Sequence, residues 1–202
     1  MSIPFRAARG DDDRAAAFLR VIRDEAGGYD GALFVMNARG EPLEFVSSRI
    51  EAPRTRLWRQ EDLQRRAARE LAGVLFNAVT SRPAVVFARA DEVEADLFVS
   101  DIETPVATCR VAAQTMPAGG TADGGAEDAE AVSAAAEDGT EDTDADGLRL
   151  LWSSGPPPEG SPERTLAERL RSVGLLTEPF ERAEAGLREA RGDDVSGRGV
   201  GR

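Results

Sequence analysis

Gly31 to Ser48 reads Gly-Ala-Leu-Phe-Val-Met-Asn-Ala-Arg-Gly-Glu-Pro-Leu-Glu-Phe-Val-Ser-Ser, the order of a strand, a tight turn and a second strand. Ala32 to Met36 is an unbroken apolar run of strand length. A run without alternation is what a strand covered on both faces carries. Asn37 to Glu41 supplies a turn, and Asn37 and Gly40 both tolerate the positive φ that short hairpin loops need. Pro42 suits the first residue of a returning strand, where no ladder donor is lost. Leu43 and Phe45 flank Glu44, so one face of that strand is wet or meets a polar neighbour. The pattern predicts a hairpin at the centre of a sheet. Arg39 at its tip reads as a solvated turn residue, with a ligand contact as the alternative.

Around the hairpin the periodicity predicts helices. Asp11, Asp12 and Asp13 suit the start of a first helix, in which Ala15, Phe18, Leu19, Ile22 and Ala26 recur at helical spacing. Three consecutive carboxylates there cannot all converge on one metal ion. Gly27 and Gly28 stop this helix, and Tyr29 reads as a packing residue with its hydroxyl near solvent. Arg49 to Gln60 is a polar connection that Leu57 and Trp58 anchor to the body. A second helix is expected over 60–80, with Leu63, Ala67, Leu71, Val74, Leu75 and Ala78 inward. Ala84 to Ala88 is a second fully apolar strand, and 97–99, 106–111 and 148–152 are shorter strand candidates. Ser161 caps a helix with Pro162 at its first position and Leu166, Leu170 and Val173 inward; Gly174 ends it. Thr177 caps a last helix through Ala190, with Phe180, Ala183 and Leu187 inward.

The resulting fold class is α+β: a mixed β-sheet built around a central hairpin, covered by helices, with a disordered acidic insert. Residues 1–116 form the core, 117–147 a disordered acidic linker, 148–190 a strand and two helices completing the same domain, and 191–202 a disordered tail. The linker holds ten carboxylates and no arginine, so all but two units of the formal charge of −12 lie in it. Such a segment buries too little apolar area to offset chain entropy.

Two absences exclude most chemistry. There is no histidine, and all 25 basic residues are arginine, as a GC-rich genome would give. Without histidine there is no Ser-His-Asp or Cys-His arrangement and no imidazole ligand. Without lysine there is no Schiff base, no pyridoxal anchor and no P-loop lysine. The single Cys109 excludes an intramolecular disulfide and a cysteine-cluster metal site, and it reads as a small core residue. No cofactor is expected and no metal ligand is assigned; what remains for chemistry is carboxylates, hydroxyls, one thiol, Tyr29 and arginines, which leaves an oxygen-ligated Mg²⁺ or Ca²⁺ site open. No stretch approaches the ~20 apolar residues of a membrane helix, so no membrane contact is expected and the cytosol is the default compartment.

The most distinctive surface is basic. Arg54, Arg56, Arg59, Arg65, Arg66 and Arg69 crowd the connection and the second helix. Guanidinium groups pair with phosphate in bidentate fashion, which suggests a phosphate, nucleic-acid or acidic-peptide contact. The preferred reading is a solvated helix face, because surface charge runs mostly solubilise. Asp91, Glu92, Asp96, Asp101 and Glu103 are the best cluster from which to build an acid/base pair or a hard-metal site, although their spacing gives no sign of an acid/base pair.

The order helix, hairpin, helix, strands, late helix over about Asp12 to Val111 is similar to that of small α+β interaction modules such as the Roadblock/LC7 and profilin-like group. Gly31 to Ser48 looks like their first hairpin. The segment after Ala88 and the two C-terminal helices depart from their pattern. The resemblance implies partner binding without catalysis. The expected function is therefore a non-catalytic cytosolic adaptor or regulatory subunit acting through protein–protein interaction, with self-association left open. One alternative is a nucleic-acid-associated accessory protein whose arginine surface is autoregulated by the acidic insert. The other is a carboxylate-dependent hydrolase.

Overall fold

The computed structural model describes residues 2–4, 14–51, 58–113, 142–143 and 147–192. Its strands are β1 (Ser2–Pro4), β2 (Ala15–Arg23), β3 (Tyr29–Asn37), β4 (Pro42–Ile50), β5 (Pro83–Arg89), β6 (Ala107–Ala113), β7 (Asp142–Thr143) and β8 (Leu148–Trp152). They form one mixed sheet in the order β1-β4-β3-β2-β5-β6-β8-β7. The helices are α1 (Gln60–Ala78), α2 (Pro162–Ser172) and α3 (Glu178–Arg191). The α+β class read from the sequence is what the structure has.

β2, β3 and β4 are an antiparallel meander, and α1 carries the chain back so that β5 lies parallel beside β2. β6 is parallel to β5, and β8 closes antiparallel on β6. Each central strand is covered on both faces. Ala16, Phe18, Phe34 and Phe87 pack against Leu170, Phe180 and Ala183 of α2 and α3. Ala17, Leu19, Leu33 and Val86 pack against Ala67, Leu71 and Leu75 of α1.

That double cover corrects the first helix. The segment read as helical is the nine-residue strand β2, buried from Ala15 to Val21. Apolar residues fill every position from Ala15 to Ile22 except Arg20, so nearly every spacing occurs, the i, i+3, i+4, i+7 set included, and the helical period carried no information. The hairpin stands: β3 and β4 pair around the turn, and Asn37 Oδ1 accepts from the amides of Arg39 (2.9 Å) and Glu41 (3.0 Å). Of the two residues suited to positive φ, only Gly40 uses it, at 80°. Glu44, 1% exposed, turns out to be buried and accepts from the Thr80 amide (3.0 Å) and the Ser81 amide (2.7 Å), fixing the exit of α1.

Three smaller expectations change. Residues 97–101 are a π-helical turn and not a strand. Val74 and Val173, assigned to inner stripes, are 49% and 57% exposed. Thr177 precedes α3 without a side-chain cap, whereas Ser161 caps α2 by accepting from the Arg164 amide at 3.2 Å. The acidic linker and the C-terminal tail lie outside the described residues, apart from Asp142 and Thr143 in β7, Gly147 at the end of the linker, and Arg191 and Gly192 at the end of α3.

Candidate functional site

The polar residues before and along α1 carry the most exposed chemistry. Arg54, Arg56 and Leu57 lie outside the described residues. Arg59 is exposed immediately before the first helical turn. Arg65 and Arg69 are about half exposed and reach acids on the segment after β5: Arg65 donates to Glu94 at 2.7 Å and lies 3.6 Å from Asp96, and Arg69 lies 4.0 Å from Asp101. The bond to Glu94 raises the Arg65 guanidinium above its ordinary value. Arg66 donates to Glu70 at 2.8 Å, one turn on.

Trp58 does not anchor the connection as its context suggests. It is 45% exposed, and the Arg66 guanidinium sits 5.8 Å from its ring centroid. α1 thus begins with an aromatic ring and a cation stacked at the surface, flanked by Arg59, Arg65 and Arg69. The arginines are not a bare positive patch, because each of the three on the helix has a carboxylate partner. Exposed pairs of this kind contribute little to stability, because water and salt screen them.

Four of the five acids in the cluster after β5 are spent on arginines. Asp91 accepts from Arg89 at 2.8 and 3.0 Å. Glu92 holds Arg20, 2.8 Å from its Nε, and accepts from the Val21 amide at 3.0 Å. Arg20, 6% exposed in the middle of β2, also donates to the Phe180 carbonyl at 2.9 Å and lies 3.2 Å from Glu184. The place where Glu92 and Glu184 converge is therefore filled by a guanidinium. Burial pushes the Glu92 carboxyl up despite Arg20, the Arg89 guanidinium pulls Asp91 down, and Asp91 in turn raises Arg89. Opposed shifts on neighbouring carboxylates are what acid/base pairs need, but here both groups are bound to arginine.

Asp96 and Asp101 serve Arg65 and Arg69, and Glu103 is exposed. A cleft of about 600 Å³ beside this segment is lined by Thr104, Pro105, Pro156, Pro157 and Trp152, and not by those carboxylates. Among the described residues no group of three or more acidic or cysteine side chains is placed to hold a metal. Asp11, Asp12 and Asp13 lie outside them.

A more open cleft of about 800 Å³ is lined by Asp24, Asp30, Ser47, Ser48, Arg49 and Arg191. Both aspartate side chains are 4% exposed, with Arg49 2.5 Å from Asp24 and Arg191 against Asp30. Sequence reading passed over this pair because it placed Asp24 inside a helix and Asp30 in the link after it, whereas Asp30 belongs to β3. Cys109 is buried, and burial pushes its thiol up, which suits a core residue. Tyr29 is 2% exposed, with its hydroxyl accepting from Gln60 at 2.7 Å. Arg39 is exposed at the turn.

No protein-family model matches the chain, and no curated protein does. Among solved structures it is similar to endonuclease V from Bacillus subtilis, at 12% identity over 79% of this chain and 74% of that one, with a TM-score of 0.42. It is also similar to the catalytic domain of human endonuclease V, at 12% identity over 91% and 87%, with a TM-score of 0.49. Both of those proteins are endonucleases by name. The reading of this chain as a non-catalytic adaptor is corrected: the leading helix that made the element order similar to the interaction modules is the strand β2. No helix among the described residues is long and apolar enough to cross a membrane.

Proposed function

We infer that this protein binds single-stranded nucleic acid through the start of α1. The observation that carries the reading is the half-exposed Trp58 ring with the Arg66 guanidinium over it. An exposed aromatic ring accepts any base by stacking, and arginines around it follow the phosphates. Arg59, Arg65 and Arg69 supply that second part, exchanging their exposed carboxylates for phosphate. The acidic segment 117–147, with its ten carboxylates, competes for the same guanidiniums.

The test is quenching of Trp58 fluorescence by a short oligothymidylate across a salt series; Trp152, 3% exposed, stays silent. Binding is expected to weaken with salt, to lose ~1–3 kcal/mol in Trp58→Ala, and to strengthen when residues 117–140 are deleted. Absence of binding at low salt by both the full chain and the deletion variant overturns the reading.

A further inference from the structure

Arg66 has a second neighbour besides Trp58. Arg66 also lines a pocket of about 140 Å³ between α1 and the end of β4. Its floor is made by Tyr29, Leu63 and Ala67, and its polar lining is Arg66, Glu51 and Glu70. Tyr29 and Ala67 are 2% and 1% exposed, so the floor is fixed core. Glu51 and Glu70 are exposed. A cavity of about this size holds one six-membered ring.

The polar lining selects among rings. Arg66 uses its Nε to hold Glu70 Oε1 at 2.8 Å, which sets a guanidinium and a carboxylate side by side and leaves the Nη hydrogens to donate. A carboxylate only accepts, and an arginine only donates. Unstacked bases are read on their Watson–Crick edges. Guanine places two adjacent donors, N1–H and the 2-amino group, next to one acceptor, O6. Adenine and cytosine put a ring nitrogen acceptor where a second donor is needed, and thymine or uracil has one N–H between two carbonyls. Guanine alone meets a carboxylate with two donors while meeting Arg66 with an acceptor.

We propose that the pocket between Glu51, Arg66 and Glu70 receives the Watson–Crick edge of an unstacked guanine, beside a base stacked on Trp58. The proposal rests on the nucleic-acid reading and adds a base preference to it. Arg66 takes part in both positions, so neighbouring nucleotides of one strand fill both. The six-membered ring enters, and the five-membered ring and sugar stay outside.

The experiment uses the full chain and four short oligothymidylates whose central position is guanine, adenine, cytosine or thymine. Binding is followed by anisotropy of a dye on the oligonucleotide. The guanine strand is expected to bind about tenfold more tightly than the other three, in line with one good bidentate base contact. Glu51→Gln and Glu70→Gln together bring the guanine strand down to the level of the others. Equal binding of all four strands by the native chain overturns the pocket and leaves the Trp58 surface standing. A guanine preference that survives the double substitution also overturns it. Failure of every strand to bind at low salt removes the underlying reading, and the pocket with it.

Discussion

At the scale of single residues the telling group is Arg20. A guanidinium in the middle of a central strand is expensive to bury, and it persists because Glu92, Glu184 and the Phe180 carbonyl surround it. Arg20→Ala leaves Glu92 buried without its main partner and is expected to destabilise the fold by about 3 kcal/mol, read as a lower urea midpoint. Glu92 also gives a pH signature. Its folded-state proton affinity exceeds that of the unfolded chain, because burial disfavours the charge. The stability this contributes is complete below the ordinary value of 4.5 and is lost as pH rises through the higher folded value. Asp91 has the opposite sign, stabilising above 3.8 and losing that contribution at lower pH. Stability measured from 4.5 upward should fall in the native chain relative to Glu92→Gln, which keeps the bond from the Val21 amide but cannot titrate. A flat difference between the two across that range contradicts the assignment.

At the scale of elements, the helices are seated by glycines. A Cβ on Gly186 of α3 would lie 2.8 Å from the Phe45 ring of β4. Gly73 of α1 has nothing within 4 Å of the same position. The same substitution should therefore act in opposite directions. Gly186→Ala is expected to cost about 1–3 kcal/mol through overpacking, whereas Gly73→Ala should gain up to ~1 kcal/mol from helix propensity. Thermal unfolding of the two variants checks both. Equal shifts of one sign would mean that α3 does not sit on Phe45 as described. These contacts were not legible in the sequence, since a helical glycine reads the same whether or not a ring lies beneath it.

At the scale of the whole molecule, one surface is set apart by exposure and not by charge sign. Arg65 and Arg69 reach across to acids that follow β5, so the arginine run visible in the sequence is largely balanced in three dimensions. If phosphates replace those acids, the double substitution Arg65→Ala and Arg69→Ala should reduce the slope of log binding constant against log salt by about 1.4, at roughly 0.7 per contact on a single strand. An unchanged slope would show that neither arginine meets the backbone. The sequence located the arginines but assigned Trp58 to the interior, because a tryptophan beside a leucine in a short connection ordinarily packs inward. Its exposure, and the pocket that Arg66 lines, depend on how α1 meets the end of β4.

Local chemistry settled what local chemistry can settle. The turn from Asn37 to Glu41, the Ser161-Pro162 start of α2, the span of α1 and the exclusion of imidazole, amine and disulfide chemistry follow from residue type and spacing alone. Tertiary structure decided the rest. β2 is a strand because layers of helix cover both its faces, Arg20 lies inside because partners from the segment after β5 and from α3 meet it there, and Trp58 lies outside because nothing among the described residues packs over all of it. A pattern of apolar residues records that a segment is buried; which neighbours bury it is a property of the assembled chain.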